Sequence, residues 1–464
     1  MSVRFKYIME PIYQRHYHLV GVAGVGMSAL AQVLLARGYA VSGSDRFLDE
    51  GKALDVMLKL RSAGLQLVLQ DGSGVKPETT GVITSTAIEQ DNPDVIAALR
   101  QGVSVMHRTD MLAYLAAGQR LIAITGTSGK TTVTGMVGWI FECLGKDPTV
   151  VNGGAVINWM SDYRIGNVRI GHSHTWIVEA DESDRSLLRF DPDWAVVTNI
   201  SKDHFELDEV TDLFRSFAGR VRSGVVCGAG VSVTLRKGSE ATSKPAAFFV
   251  EERFEPYEEA GYFHFWYKGL AFQSPLIGRH NAENAFIAVV LCDQLGMDRT
   301  AVRNALISFK GIQRRLEKVG IARGVSIIDD YAHNPAKIRG SWKAVSPMHR
   351  RLVGVWRPHG FAPMANMINE LAAAFAEVCR PEDKLFVLPV YYAGGSAKKK
   401  VASEDLVSLL KERQVNVELV PDYDHLLVQL PREVHEGDGV LCMGARDPQI
   451  PLFARQLLRN LSAT

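Results

Sequence analysis

Thr125-Gly126-Thr127-Ser128-Gly129-Lys130-Thr131-Thr132 lies between an apolar run, Leu121 to Thr125, and a helical pattern over Thr131 to Leu144. Small residues at such a turn let consecutive backbone N–H groups close around a phosphate, and the start of a helix adds positive potential. Gly126, Thr127, Ser128 and Gly129 form the cradle, Lys130 brings a charge to the outer phosphates, and a hydroxyl from Thr131 or Thr132 is an oxygen ligand for Mg²⁺. The stretch departs from G-x-x-x-x-G-K-[ST] at one position, because Ile124 stands where the first glycine falls. Strand, phosphate turn and helix in this order predict a parallel α/β domain that grips ATP.

Two apolar runs follow, Thr175 to Glu179 and Trp194 to Thr198, and both end in polar residues, as parallel strands feeding a functional edge do. The first continues as Glu179-Ala180-Asp181-Glu182-Ser183-Asp184, which places Glu179 to hold Mg²⁺ near phosphates on the neighbouring loop. The second continues as Thr198-Asn199-Ile200-Ser201-Lys202-Asp203-His204 and brings His204 to the same edge, where an imidazole orients a metal or a substrate. A solvated acidic turn and an exposed histidine are the plain alternatives.

Upstream, a strand at His18 to Val22, a turn Gly21-Val22-Ala23-Gly24-Val25-Gly26, a helix over Met27 to Ala36 and a strand at Ala40 to Gly43 make a βαβ unit. The turn reads G-x-x-G-x-G and not the dinucleotide fingerprint, although Asp45 closes the second strand about where a ribose-binding acid falls. It fits NAD, a UDP-sugar or plain tight packing. A further strand is expected at Gly81 to Thr84 and a helix at Pro93 to Arg100.

Downstream, Gly278-Arg279-His280-Asn281-Ala282-Glu283-Asn284 opens a helix whose imidazole and amides suit a base, with an ordinary N-cap as the alternative. Arg314 and Arg315 offer guanidinium forks for phosphate, or are surface arginines. A third alternation then runs through Val325 to Ile328, Leu352 to Trp356, Leu385 to Leu388, Val415 to Leu419 and Gly439 to Met443. Its first strand leads into Asp329-Asp330-Tyr331-Ala332-His333-Asn334-Pro335, which brings Asp330 and His333 to another sheet edge.

The chain has 464 residues, more than one core organises, so two or three domains are expected. Its 52 Lys and Arg against 51 Asp and Glu leave no bulk field for nucleic acid or an anionic membrane, so anion binding is local. Five scattered cysteines without a C-x-x-C pair read as reduced core residues, and neither a signal peptide nor a membrane span is seen. The expected compartment is the cytoplasm.

Taken in order, T-G-T-S-G-K-T-T, E-A-D-E-S-D, T-N-I-S-K-D-H, G-R-H-N-A-E-N, R-R and D-D-Y-A-H-N-P resemble the Mur ligase family over nearly the whole chain. Residues 18–31, 42–45 and 84–93 look most like its alanine-adding branch. The resemblance implies three domains: a Rossmann-like one for a UDP-sugar at 1–118, a central P-loop domain for ATP at 119–311, and a Rossmann-like one for the incoming amine at 312–464. It also implies a reaction in which the carboxylate of UDP-N-acetylmuramate or a related precursor takes the γ-phosphoryl of ATP and an amino acid then attacks the acyl phosphate.

Carried across, the roles are Lys130 on the β- and γ-phosphates, Thr131 and Glu179 on Mg²⁺ and His204 near a second metal. His280, Asn281 and Asn284 would face adenine, one of Arg314 and Arg315 a phosphate, and Asp330, Tyr331 and His333 nucleotide and substrate. Gly24, Val25, Gly26, Met27, Ser28, Asp45, Ser85 and Thr86 would hold the UDP-sugar. The lysine that several Mur ligases carbamylate is missing from Leu207 to Arg222, as it is from the alanine-adding branch.

The third domain departs from that branch. Arg357-Pro358-His359-Gly360-Phe361-Ala362-Pro363 lacks the arginines that follow the P-H pair, and Tyr391 to Ser396 leads into Lys398-Lys399-Lys400, a solvated loop or a reader of an acidic acceptor. Arg446, in Gly444-Ala445-Arg446-Asp447, is the expected replacement contact for a carboxylate, with His359 beside it on the acceptor side. An NAD-dependent oxidoreductase leaves Lys130 and Glu179 without roles, whereas a regulatory protein on a ligase scaffold would explain the altered third domain.

Overall fold

Arg120–Thr125 forms a central strand because its apolar residues are covered on both faces; Leu121, Ile122, Ala123 and Ile124 are all buried. The computed structural model describes residues 15–52, 54–201, 206–236, 248–259, 262–392 and 401–463. His204 and Lys398 to Lys400 lie outside the described residues.

The chain forms two compact units. One holds the residues up to Pro256 with 265–275 and 283–310, and the other holds 257–264, 276–282 and the chain from Gly311 on. In the first unit, a sheet is built from β1 (His16–Val20), β2 (Ala40–Ser44), β3 (Gln66–Val68), β4 (Gly81–Thr84) and β5 (Val105–His107), in the order β3-β2-β1-β4-β5, all parallel. A second sheet contains β6 (Arg120–Thr125), β7 (Thr149–Val151), β8 (Val168–Arg169), β9 (Thr175–Glu179), β10 (Trp194–Val197), β11 (Gly224–Cys227) and β12 (Phe248–Val250). Its order is β12-β11-β10-β6-β9-β7-β8, and only β8 runs antiparallel. The strand expected at His18 to Val22 runs from His16 to Val20 and ends two residues early, because Gly21 at φ +73 already turns the chain.

A three-stranded sheet joins β13 (Pro256–Glu259), β14 (Tyr262–Tyr267) and β15 (Leu270–Gln273). The second unit carries β16 (Glu317–Ala322), β17 (Val325–Asp330), β18 (Arg351–Trp356), β19 (Lys384–Val387), β20 (Val417–Leu419) and β21 (Asp438–Met443), in the order β16-β17-β21-β18-β19-β20. Here β16 is the antiparallel edge. Successive side chains point to opposite faces: Leu352 and Trp356 enter one core layer, Val353 and Val355 the other. Both faces are therefore closed by helices, as in a doubly wound sheet.

Strand β17 runs two residues past the expected end, so Asp329 and Asp330 belong to the sheet and pair with Cys442 and Met443 of β21. The next helix, Pro335–Val345, is capped by Asn334, whose side chain accepts from the Lys337 N–H, and not by an acid. All five cysteines are free.

Candidate active site

The phosphate turn sits between β6 and the helix Lys130–Cys143, with Gly126 at φ +129 and Gly129 at φ +86. Both conformations favour glycine, and a Cβ on Gly126 would overlap the Thr198 hydroxyl. The polar run after β10 braces the loop. Asn199 Oδ1 accepts from the Ser128 N–H at 3.0 Å, Asn199 Nδ2 donates to Ser128 O at 3.0 Å, and the Thr127 hydroxyl donates to Ser201 O at 3.1 Å. From that run the Asn199 amide and the Thr198 hydroxyl, which donates to Ser128 O at 2.5 Å, shape the turn.

Lys130 Nζ donates to Glu182 Oε2 at 2.6 Å and to Gly126 O at 2.9 Å, and Asp181 lies 4.0 Å away. Glu182 is 2 % exposed, and burial raises its carboxyl above the ordinary range although Lys130 opposes the shift. Burial acts on Asp181 too, but Lys130 and the Ser183 N–H more than offset it and hold that carboxyl low. The lysine thus rests on an acidic pair that a polyphosphate would replace.

At the end of β9, Glu179 Oε1 accepts from the Thr131 hydroxyl at 3.0 Å, and Oε2 accepts from the Gly153 N–H at 2.6 Å. A hydroxyl and a carboxylate oxygen side by side at a phosphate turn are the donor set that Mg²⁺ takes together with phosphate oxygens and water. Thr131 and Glu179 therefore fit the metal role. Thr132 is buried in the first turn of the helix.

The turn after β1 is closed by backbone bonds from Gly21 and Val22 N–H to Ser44 O, at 2.9 and 3.0 Å. Asp45, expected to face a ribose, has both oxygens committed: Oδ2 accepts from the Ala23 N–H and Oδ1 from the Phe47 N–H. It shapes the turn. Gly24, Val25, Gly26 and Met27 line a cavity of about 590 Å³ together with Asp45, Ser85 and Thr86. Ser28 lies beneath that wall, donating to Val25 O at 3.0 Å. The cavity continues to Asn152, Gly153, Glu179 and Asp181, so the first turn and the carboxylates at the end of β9 share one space. Arg108 also lines it, with Nη1 so near Gly26 that a Cβ there would stand 2.7 Å away.

Asn284 packs on the phosphate turn, where a Cβ on Gly129 would overlap its Oδ1. Asn281, in contrast, donates through Nδ2 to Ile277 O at 2.8 Å and is buried, and His280 is exposed.

In the second unit, Tyr331, His333, His359 and Arg446 come together. The His333 ring lies 5.5 Å from Tyr331 and 5.0 Å from His359, and the Arg446 N–H donates to the Tyr331 hydroxyl at 3.2 Å. Burial pushes His359 down to about 4, helped by His333 and Arg446, so it is neutral at physiological pH. Asp330 accepts from the Leu316 and Ala332 N–H groups and from the Ser341 hydroxyl at 2.7, 2.8 and 2.9 Å. It anchors the loop that carries the cluster. Arg314 is turned inward, 3.4 Å from buried Asp329 and bonded to Gly444 O, whereas Arg315 is exposed. Of the arginine pair, only Arg315 is presented outward. Arg357 is internal as well, with Nη1 2.8 Å from Asp447 Oδ2 and its guanidinium over Tyr423.

Sequence reasoning missed Asn199, Glu182 and Arg108. The first two sit inside motifs that were read for a neighbouring residue, and Arg108 follows a strand of three residues, too short to show a period.

A P-loop whose neighbouring strand-end acids, Glu179 and Asp181, line a cavity with a second nucleotide-type turn defines an α/β enzyme of the ATP-using class. Family models agree: "Mur ligase family, catalytic domain" matches residues 16–120, "Mur ligase middle domain" 124–214 and "Mur ligase, glutamate ligase domain" 314–446, one within each parallel-rich sheet region. The chain is 34% identical over 442 residues to the UDP-N-acetylmuramate–L-alanine ligase of Synechococcus sp. (strain JA-2-3B'a(2-13)), spanning 93% of this chain and 90% of that protein. It is 32% identical to the enzyme of the same name from Chelativorans sp. (strain BNC1), over 92% and 94% of the two chains. The solved UDP-N-acetylmuramate-alanine ligase of Thermotoga maritima superposes with a TM-score of 0.77 at 25% identity, covering 97% of this chain and 99% of that one. A murein peptide ligase from Psychrobacter arcticus shares the fold, with a TM-score of 0.66 at 20% identity over 97% and 99%. The chain belongs to the Mur ligase family. It is an ATP-dependent ligase that forms an amide bond, with the family's three-domain α/β architecture.

Proposed function

We propose that the protein joins an amino acid to the carboxylate of UDP-N-acetylmuramate, or a related precursor, as a step of peptidoglycan synthesis in the cytoplasm. Regions 1–118, 119–311 and 312–464 would hold the nucleotide sugar, ATP and the amine respectively. The observation that carries the reading is the single cavity running from Gly24–Gly26 to Glu179. A nucleotide sugar whose diphosphate lies on that turn, with Arg108 over it, can extend its carboxylate to the carboxylates beside Lys130.

In this reading the N–H groups of Gly126 to Lys130 and the Lys130 ammonium align the polyphosphate, and Lys130 leaves Glu182 for the γ-phosphate. Thr131, Glu179 and His204 would hold Mg²⁺, which when bound neutralises charge developing on the phosphates. Asn284 flanks the loop on the adenine side and Arg315 meets a phosphate. The substrate carboxylate oxygen bonds to the γ-phosphorus as ADP leaves. The amine then attacks the acyl carbon and inorganic phosphate departs with that oxygen.

Arg446, with Tyr331, His333 and His359, would receive the acceptor and pair with its carboxylate. L-alanine is the first candidate, because the relatives named above carry it in their names. The internal position of Arg357 favours a second reading, in which the acceptor is another amino acid or a short peptide.

Phosphate release from ATP with Mg²⁺ and UDP-N-acetylmuramate, assayed across amino acids and short peptides, tests this. One acceptor should stimulate release well above the others, and Arg446→Ala should raise its KM roughly tenfold or more with kcat little changed. Release that no amine stimulates would overturn the substrate assignment.

A further inference from the structure

Asn167, just before β8, is 1 % exposed and bonded on two sides. Toward the helix Val25–Ala36, its Nδ2 donates to Val25 O at 2.9 Å and to the Ser28 hydroxyl oxygen at 3.1 Å, and its Oδ1 accepts from Gln32 Nε2 at 2.9 Å. Two donors on one atom and one acceptor on the other admit a single amide orientation. Toward the second sheet, its backbone carbonyl accepts from the Asn152 N–H at 2.9 Å. The next residue, Gly153, gives its N–H to Glu179 Oε2.

One buried side chain therefore grips the helical turn under the Gly24–Met27 wall of the cavity, while its main chain secures the loop that orients Glu179 at the far wall. The two walls come from different sheets, and the path between them is three hydrogen bonds long: Val25 to Asn167, Asn167 to Asn152, Gly153 to Glu179. We infer that Asn167 is a positioning residue that sets the placement of the nucleotide-sugar turn relative to the phosphoryl-transfer carboxylate. The inference rests on the cavity being the nucleotide-sugar site, as proposed above.

Misplacement of reacting groups by about an ångström costs up to roughly a hundredfold in rate, so alignment should be read in kcat. Asn167→Ala is expected to lower kcat about tenfold or more while KM for ATP stays within about threefold of wild type. Asn167→Asp keeps the shape, loses the amide donors and sets charge against the Val25 carbonyl, so its kcat should fall as far. Both are measured per folded enzyme, with the thermal midpoint followed in parallel. A lower midpoint with unchanged kcat and KM in both variants assigns Asn167 a purely structural role and overturns the inference. If wild-type protein shows no calorimetric binding of UDP-N-acetylmuramate, it is the site assignment that fails.

Discussion

Lys130 is held in advance. Its ammonium sits between Glu182 and the Gly126 carbonyl, so in the proposed reading it exchanges Glu182 for the γ-phosphate without leaving the phosphate turn. Lys130→Ala should lower kcat on the order of 10² to 10³-fold with the fold intact by circular dichroism, and a loss under tenfold would contradict the role. Asp329 shows a different consequence of burial. Desolvation raises its carboxyl to about 7, with Arg314 offsetting only part of the effect. The folded protein thus keeps a proton that the unfolded chain releases near ~3.9. This contribution is complete at low pH and is lost as pH rises from ~4 through 7. Asp329→Asn does not titrate, so between about pH 5 and pH 8 its thermal midpoint should fall less than that of wild type, by roughly 2–4 °C per kcal/mol of the difference. Parallel midpoints for the two proteins over that range would refute the assignment.

At the scale of elements, the phosphate loop depends on glycine as much as on lysine. Gly129, at φ +86, caps the helix Lys130–Cys143 and faces Asn284 Oδ1. An alanine there costs about 1–2 kcal/mol of backbone strain and pushes Asn284 away, so Gly129→Ala should raise the KM for ATP roughly tenfold. An unchanged KM would mean that the loop tolerates a side chain. Long apolar strands such as β6, β9 and β10 were legible in the sequence because four to six residues covered on both faces leave a continuous run. Strands β3, β5, β7 and β8, of two or three residues, leave no period to read. The edge strand β16 was missed for another reason: Glu317, Lys318 and Gly320 interrupt its apolar run.

For the whole molecule, three successive α/β patterns were visible in the sequence, and the described residues form three parallel-rich sheets in two compact units. Candidate site residues that belong to local motifs, such as Lys130, Thr131 and Glu179, stand out in the sequence because chemistry and position coincide in a few residues. The side chains that join distant segments do not: Arg108 above the Gly26 turn, Asn199 on the P-loop and Asn167 between two sheets carry no local signature. Nor does anything local reveal that Asp45, on the cavity wall, also accepts from the Ala23 and Phe47 N–H groups and so shapes the turn.

In the proposed reaction the nucleotide-sugar carboxylate takes the γ-phosphoryl of ATP beside Lys130 and Glu179. UDP-N-acetylmuramate carrying ¹⁸O in both carboxylate oxygens, turned over with ATP and the active amine, tests it directly by mass analysis of the released phosphate. Activation through an acyl phosphate delivers one ¹⁸O to each inorganic phosphate formed. Unlabelled phosphate accompanying product would contradict it.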